Sequence, residues 1–220
     1  MRRALDLSTY LVTDRSLCGE RGVEAVVRQA IAGGVALVQL RDPDATSGQL
    51  VAQARALLAL LRPARIPLII NDRVDVALAV SADGVHVGQR DMAVADVRAL
   101  VGSELIVGLS ISTLEELARS ASALAAVDYL GVGPIFATQT KPDAAPPIGV
   151  AGLAEVVART ELPVVAIGGV KRENAAETIR AGAQGVAVVS DICCASDPAL
   201  ATEQLARAVR EAQAHAARPR

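Results

Sequence analysis

The segment from Gly131 to Gly149 concentrates residues that could bind an anion. It places Thr138, Thr140 and Lys141 within four positions, on a backbone that contains four prolines. Prolines at this density exclude a helix and argue against a paired strand. Two hydroxyl donors beside a lysine suit a multiply charged anion, and long loops in compact domains commonly cover a ligand. The segment is predicted to be an anion-binding loop, with a solvated connector as the alternative.

Two aspartates follow neighbouring predicted strands, Asp72 after residues 67–71 and Asp91 after residues 84–87. Carboxylates near the cations Arg41 and Lys141 fit a Mg²⁺ ion bound through one or two carboxylates and substrate phosphate oxygens. The structural alternatives are a helix N-cap for Asp72, ahead of Val74, and a turn residue for Asp91. Because the two lie at adjacent strand ends, the metal site is the preferred interpretation.

A second anion site is indicated after the last two predicted strands. Gly168-Gly169 follows the seventh strand and Val189-Ser190 follows the eighth. Barrels commonly bind phosphate there, through backbone N–H groups and the start of a short helix. A glycine pair alone is equally compatible with a tight turn. Two anion sites predict either two phosphorylated substrates or one substrate with phosphates at both ends.

The sequence offers no recognisable nucleophile. It shows no Ser–His–Asp or Cys–His arrangement and no Cys/His spacing typical of a metal site. His86, on the fourth predicted strand, could act as a base, although a histidine on a barrel strand is more often packed and hydrogen-bonded. Chemistry is therefore expected to depend on positioning and on charge stabilisation.

The elements that must position these residues alternate eight times between strand and helix. The predicted strands are 10–13, 36–41, 67–71, 84–87, 105–110, 128–132, 163–167 and 185–189. Helices are predicted at about 22–32, 47–61 with a serine as N-cap, 74–81, 94–101, from 113, 150–159, 173–181 and 198–212. This pattern predicts one domain, 1–220, folded as a (β/α)₈ TIM barrel over about residues 8–216. A doubly wound sheet is less favoured, because no G-x-G-x-x-G turn follows either of the first two strands.

In such a barrel the functional residues lie at the C-terminal ends of the strands. The polar and glycine residues at those ends are Gln39, Arg41, Asn71, Asp72, Gln89, Asp91, Ser110, Ser112, Thr113, Thr138, Thr140, Lys141, Gly168, Gly169, Ser190 and Asp191. We expect them to surround one mouth.

Composition excludes several classes of protein. The chain has 220 residues, 52% of them hydrophobic, and its aromatic residues are Tyr10, Tyr129 and Phe136. An aliphatic core fits parallel strands buried on both faces. A net charge of −2 without a basic run argues against nucleic-acid binding. No apolar run is long enough for a membrane span, and no signal peptide is recognisable. We expect a cytoplasmic enzyme with reduced cysteines, and a homo-oligomer is possible.

The motifs together resemble the thiamine phosphate synthase family, also called thiamine-phosphate pyrophosphorylase. The resemblance extends from about Tyr10 to Ala206. It is carried by residues 39–42, 71–72, 84–91, 108–110, 133–141, 167–169 and 188–190.

The resemblance implies a transferase that joins 4-amino-2-methyl-5-hydroxymethylpyrimidine diphosphate to thiazole phosphate, releasing pyrophosphate and requiring Mg²⁺. The family's proposed chemistry is dissociative, with pyrophosphate leaving before the thiazole nitrogen attacks. Arg41 and Lys141 would stabilise the leaving group, and Ser110 would lie against the pyrimidine. The other implied roles are diphosphate binding by Gln39, Arg41, Asn71 and Lys141, metal binding by Asp72 and Asp91, and contacts near or with the thiazole phosphate by Thr138, Thr140, Gly169, Val189 and Ser190.

Two positions depart from the family pattern. Pro43 stands where the family usually has a lysine, and Arg73 and Arg90 are the nearest cations that could replace it. Ser112 stands where many members have a histidine, which counts against the related thiazole tautomerase activity. Two alternatives to the transferase are kept: a tautomerase-type isomerase, and a barrel that binds a thiamine precursor without catalysis.

Overall fold

Eight parallel strands close into a barrel in the order in which they occur along the chain. The structure, a computed structural model, describes residues 5–138, 140 and 145–216. Each strand pairs with the next one in sequence, and the eighth pairs with the first. The strands are β1 Thr9–Val12, β2 Leu37–Leu40, β3 Leu68–Asn71, β4 Gly84–Val87, β5 Ile106–Ile111, β6 Tyr129–Val132, β7 Val164–Ile167 and β8 Gly185–Val188. The predicted (β/α)₈ fold is confirmed.

The helices follow the strands around the outside of the barrel. They are α1 Arg15–Cys18, α2 Gly22–Ala32, α3 Ser47–Ala64, α4 Val74–Val80, α5 Val94–Val101, α6 Leu114–Ser120, α7 Gly149–Val157, α8 Arg172–Arg180, α9 Ser190–Cys193 and α10 Pro198–Ala216. Two 3₁₀ helices, Gly19–Arg21 and Ala121–Ala126, extend α1 and α6.

Alternation along the strands creates two separate cores. Side chains that point inwards fill the barrel with Tyr10, Val12, Leu37, Ile69, Tyr129, Val165 and Ala187, closed at the base by Leu7. Side chains of the opposite parity pack against the helices in a larger aliphatic layer. Because successive strand residues point to opposite faces, every second position of a strand contributes to the interior. Polar residues of that parity therefore face the cavity in the barrel mouth.

The start and the end of α3 differ from the prediction. Thr46 is the N-cap: its hydroxyl accepts from the N–H of Gln49, and the backbone N–H of Thr46 donates to Oε1 of Gln49. Ser47 is thus the first helical residue rather than the cap. The helix continues past the predicted end at 61 and includes Pro63 in its last turn, where only one backbone bond is lost.

Four short elements were not predicted, namely α1, α9 and the two 3₁₀ helices. The helices α1 and α9 have four residues each, too few to show a helical period. Asp14 caps α1 by accepting from the N–H of Leu17. Within the described ranges, no helix combines the length and the apolar character that crossing a membrane requires.

Candidate active site

A cavity of about 670 Å³ opens at the carboxyl ends of the strands. This volume suits a small-molecule ligand. The described residues of the predicted site all line it: Gln39, Arg41, Asn71, Asp72, Asp91, Ser110, Thr138, Thr140, Gly169, Val189 and Ser190. Lys141 lies outside the described residues, so its place is not established. The structure thus brings the predicted site residues together, while their roles in binding stay predictions.

Arg41 is held at the end of β2 by two residues that follow β1. Its Nη1 lies 3.9 Å from Oδ2 of Asp14. Its backbone N–H donates to the hydroxyl of Thr13 at 3.1 Å. Asp14 therefore lies beside the guanidinium as its counter-ion, and Thr13 fixes the backbone of Arg41. The sequence argument had singled out neither Asp14 nor Thr13.

Asp72 and Asp91 form a carboxylate pair at the ends of β3 and β4. Burial first, and then the charge and the hydrogen bond of Asp91, raise the pKa of Asp72 to about 6, although Asn71 and Arg41 act in the opposite direction. Asn71 Nδ2 donates to Asp72 Oδ2 at 2.6 Å. The N-cap interpretation of Asp72 is wrong, because Arg73 occupies that position of α4 and no side chain caps the helix. Asp91 also accepts from the N–H of Gly88 at 2.7 Å, which fixes its turn.

The aspartate pair fits a Mg²⁺ ion. Both donors are hard carboxylate oxygens, and like charges this close are relieved by a divalent cation. In the part of the chain that the structure describes, no group of three or more His, Cys, Asp or Glu side chains could hold a metal. Oxygens from substrate or water would therefore have to complete the coordination shell, as is usual for Mg²⁺.

The loop after β6 is anchored at both ends of its described portion. Ile135 N–H donates to the carbonyl of Ile167 at 2.9 Å, and Phe136 N–H donates to the carbonyl of Gly168 at 2.9 Å. At the other end, Ile148 N–H donates to the carbonyl of Pro134 at 2.9 Å. The loop is therefore tied to the end of β7 and closed upon itself. These three backbone hydrogen bonds form the stem of the loop, which holds Thr138 and Thr140 at the cavity.

Gly168 and Gly169 allow this loop to pack closely on the end of β7. Both have positive φ, 88° and 67°. A Cβ on Gly168 would lie 2.5 Å from Cα of Pro134, and a Cβ on Gly169 would lie 2.7 Å from the carbonyl oxygen of Ala137. Neither position has space for a side chain. The glycine pair is thus required by packing, in addition to any contact with a phosphate.

The floor of the cavity holds a continuous chain of hydrogen bonds that crosses the barrel. Gln39 Nε2 lies 2.6 Å from Tyr10 Oη, which lies 2.9 Å from Tyr129 Oη. Tyr129 Oη lies 2.9 Å from His86 Nδ1, and His86 Nε2 lies 2.8 Å from Ser110 Oγ. All five side chains line the cavity. Sequence reasoning identified Gln39 and Ser110 and considered His86 as a possible base or a packed, hydrogen-bonded residue, but it missed the two tyrosines.

Two glycines make room for the His86 ring. His86 is opposite Gly108 in the register of β4 and β5, and Gly108 is opposite Tyr129 in that of β5 and β6. A Cβ on Gly108 would overlap both His86 and Tyr129, and one on Gly131 would lie 3.0 Å from Cε1 of His86. The chain of hydrogen bonds therefore depends on the absence of these side chains.

The structure separates the two arginines considered as replacements for the missing lysine. Arg90 and Pro43 line the cavity. Arg73 points elsewhere: its Nε and Nη2 lie 2.8 and 2.5 Å from the carboxylate oxygens of Asp75, and Nη2 also lies 2.7 Å from Ser47. Arg90 is therefore better placed to replace the lysine.

Ser112 also lines the cavity, together with Glu116 on α6. The N–H of Ser112 donates to Glu116 Oε2 at 2.6 Å. Thr113 does not belong to this wall but caps α6 through its hydroxyl. Asp191 lies in α9 and is outside the lining, with a pKa raised mainly by burial.

Comparison with known proteins identifies relatives along the whole barrel. A family model described as thiamine monophosphate synthase matches residues 9–192. The thiamine-phosphate synthase of Xanthobacter autotrophicus is 57% identical over 212 residues, 96% of this chain and 98% of the relative. That of Azorhizobium caulinodans is 56% identical over 197 residues, 90% of this chain and 92% of the relative. Among solved structures, the thiamine phosphate pyrophosphorylase of Pyrococcus furiosus has a TM-score of 0.85 at 36% identity, covering 94% of this chain and 98% of that chain.

Proposed function

This chain belongs to the thiamine monophosphate synthase family and is a transferase that forms thiamine phosphate, and we propose how its cavity does so. The substrates are 4-amino-2-methyl-5-hydroxymethylpyrimidine diphosphate and thiazole phosphate, and the second product is pyrophosphate. The observation that carries this proposal is the single 670 Å³ cavity, which gathers a carboxylate pair, Arg41 and a glycine-rich strand end.

The diphosphate is assigned to the side of the cavity formed by β2, β3 and β4. Arg41, with Asp14 3.9 Å from its guanidinium, can pair with phosphate oxygens. Asn71 and Arg90 line the same cavity. Asp72 and Asp91 would hold Mg²⁺, whose chemistry when bound is to neutralise charge on the departing pyrophosphate.

The thiazole phosphate is assigned to the opposite side, where β7 and β8 end. Gly169, Val189 and Ser190 line the cavity there. Backbone N–H groups and the Ser190 hydroxyl are suitable donors for a phosphate. Thr138 and Thr140 lie between the two sides on the anchored loop and would cover the reacting groups.

The proposed reaction is dissociative. The bond between the pyrimidine methylene carbon and the diphosphate oxygen breaks first, and its electron pair leaves with pyrophosphate. The thiazole nitrogen then donates its lone pair to the resulting carbocation, so no enzyme nucleophile is required. Arg41 would stabilise the departing charge, and the loop would limit attack by water. Support comes from the cavity itself, which offers anion-binding groups at both ends.

The test is direct. Purified protein supplied with Mg²⁺ and both substrates should form thiamine phosphate and pyrophosphate in equal amounts. Absence of product at every substrate concentration would overturn the proposal. The tautomerase alternative predicts an isomerase activity that survives a chelator and the Asp72→Ala and Asp91→Ala substitutions. A barrel that only binds would retain both substrates without turnover.

A further inference from the structure

The hydrogen-bond chain across the cavity floor has a direction. Gln39 donates from Nε2 to Tyr10 Oη. The contact between Tyr10 and Tyr129 can be donated by either hydroxyl; if Tyr10 donates, the proton of Tyr129 goes to His86 Nδ1. His86 consequently carries its own proton on Nε2 and donates it to Ser110 Oγ. Tyr10, Tyr129 and His86 each then give one hydrogen bond within the chain and receive one.

With Nε2 of Gln39 facing Tyr10, the opposite direction does not fit this chain. If Ser110 donated to His86 and Tyr129 donated to Tyr10, then Tyr10 Oη would accept from both Gln39 and Tyr129. The proton of Tyr10 would have no acceptor within the chain, at the floor of a buried barrel where Tyr10 is 2% exposed. An unsatisfied buried donor is costly. The first direction gives both phenol hydroxyls an acceptor.

The two phenols keep their protons, which the chain needs. Burial raises the pKa of Tyr10 above its ordinary value. Burial, and then the neighbouring Tyr10, also raise the pKa of Tyr129 well above its ordinary value. Both hydroxyl groups can therefore donate at neutral pH.

We propose that Tyr10, Tyr129 and His86 are positioning residues that hold Ser110 as a hydrogen-bond donor towards the substrate, with His86 accepting on Nδ1 and donating from Nε2. Because Ser110 Oγ accepts from His86, the Ser110 proton is directed into the cavity. The opposite end of the chain presents the carbonyl oxygen of Gln39, which is an acceptor. A ligand ring with a hydrogen-bond acceptor near Ser110 and a donor near Gln39 is complementary to this polarity.

The significance of the polarity for catalysis rests on the proposed function, but the chain itself can be tested without the reaction. The protein contains two histidines, His86 and His215. His215 lies on α10, exposed, with Nδ1 2.6 Å from the carbonyl of Glu211. A His215→Asn variant labelled with ¹⁵N-histidine thus gives the imidazole spectrum of His86 alone. We expect a pyrrole-like Nε2 and a pyridine-like Nδ1 at neutral pH. The Nδ1–H tautomer or an imidazolium would overturn the proposal.

Tyr129→Phe breaks the chain in the middle while preserving the ring. Without the phenol proton, Nδ1 loses its donor, so the preference for the Nε2–H tautomer should weaken in the spectrum. The turnover number should fall on the order of tenfold, with a smaller change in the KM for thiazole phosphate. An unchanged spectrum in this variant would contradict the assigned direction.

A double variant tests whether Tyr129 acts through Ser110. In a Ser110→Ala background, Tyr129→Phe should have little further effect on turnover, because the group that it orients has gone. If the loss of turnover in the double variant equalled the product of the two single losses, the proposal that Tyr129 acts through Ser110 would be rejected. Thr178→Val is the matched control: it removes another buried hydroxyl, which donates to the carbonyl of Ala175 on α8. It should lower thermal stability and leave both turnover and the His86 spectrum unchanged.

If the protein failed to make thiamine phosphate, the imidazole spectra of the unliganded protein would still decide the direction of the chain. If it made thiamine phosphate but His86 showed the other tautomer, only the positioning proposal would be lost.

Discussion

The carboxyl group of Asp72 faces that of Asp91 at neighbouring strand ends, and partial burial together with this neighbour raises the pKa of Asp72 to about 6. The pair therefore holds less negative charge near pH 6 than two separate aspartates would. Two predictions follow from this relationship, one about stability without a cation and one about cation binding.

The first concerns stability. The pKa of Asp72 in the folded protein, about 6, is above its ordinary value of 3.8. The protonated form thus contributes stability that is fully present below pH 3.8 and is lost as the pH rises through 6. Asp72→Asn should remove the repulsion and stabilise the cation-free protein at pH 7.5 by about 1 kcal/mol, after allowance for solvent screening, since part of this residue remains accessible to water. Asparagine also tolerates the positive φ of 59° at this position.

Thermal unfolding in the presence of a chelator would measure this effect. The melting temperature of Asp72→Asn should exceed that of the wild type by about 2–4 °C at pH 7.5, and the two curves should converge at pH 4. Asp75→Asn is a useful control, since Asp75 pairs with Arg73 and its pKa is lowered. A lower melting temperature for Asp72→Asn at pH 7.5 would contradict the raised pKa.

The second concerns cation binding. Because protons compete with the metal for Asp72, binding of Mg²⁺ should weaken as the pH falls through 6. Calorimetric titration of Mg²⁺ in the presence of inorganic pyrophosphate should show clear binding at pH 7.5 and much weaker binding at pH 5. Asp72→Asn and Asp91→Asn should each weaken binding at pH 7.5. Equal Mg²⁺ affinity of the wild type at both pH values would exclude the aspartates as ligands. So would an affinity at pH 7.5 that is as high in both variants as in the wild type.

A third prediction concerns the charge missing at Pro43. Arg90 lines the cavity, whereas Arg73 is bound to Asp75 and Ser47. Arg90→Ala should therefore raise the KM for the pyrimidine diphosphate about tenfold, on the scale of one charge-assisted hydrogen bond. Arg73→Ala serves as the matched control and should leave this KM within about twofold.

Steady-state kinetics with the diphosphate as the varied substrate would measure both values. Pro43→Lys adds a complementary test: it should lower the same KM, and more strongly in the Arg90→Ala background. If both Arg90→Ala and Arg73→Ala left the KM within about twofold of the wild type, neither arginine would replace the lysine.

A fourth prediction concerns the stem of the loop after β6. A Cβ on Gly168 would lie 2.5 Å from Cα of Pro134, and φ at this residue is 88°. Gly168→Ala should displace the loop and raise the KM for thiazole phosphate, since Thr138 and Gly169 move with it. We expect about tenfold, and a loss of stability of 1–3 kcal/mol from backbone strain, on the order seen for such positions.

Gly102→Ala provides the comparison, because Gly102 also has a positive φ of 68° but nothing lies within 4 Å of a Cβ there. It should lower stability without a change in KM. If the two variants gave the same KM, the close contact with Pro134 would not matter for substrate binding.

The order of the strands and the position of the site could be predicted because they depend on local signals. Eight alternating units imply a barrel, and parallel strands bring their carboxyl ends to one mouth. Asp72, Ser110 and Ser190 could therefore be assigned to one place although they are distant in sequence. The role of Lys141 still rests on the sequence, since it lies outside the described residues.

The cavity floor could not be predicted in the same way. Tyr10 and Tyr129 are 119 residues apart, and His86 and Tyr129 are 43 residues apart. Their contact depends on closure of the barrel and on the register of His86 with Gly108, which a single sequence does not reveal. One signal was available: a buried tyrosine needs a partner for its hydroxyl, and the only two tyrosines lie within predicted strands.

The stem of the loop after β6 also has a consequence for engineering. Because Ile148 returns to Pro134 while Ile135 and Phe136 join the end of β7, the loop enters and leaves the barrel at one place. A segment of different length spliced between Phe136 and Ile148 would replace the contacts of Thr138 and Thr140, while the strands that carry the aspartates keep their own sequence. Substrate range at the mouth and folding of the barrel can thus be varied independently, which makes this segment a suitable site for library construction.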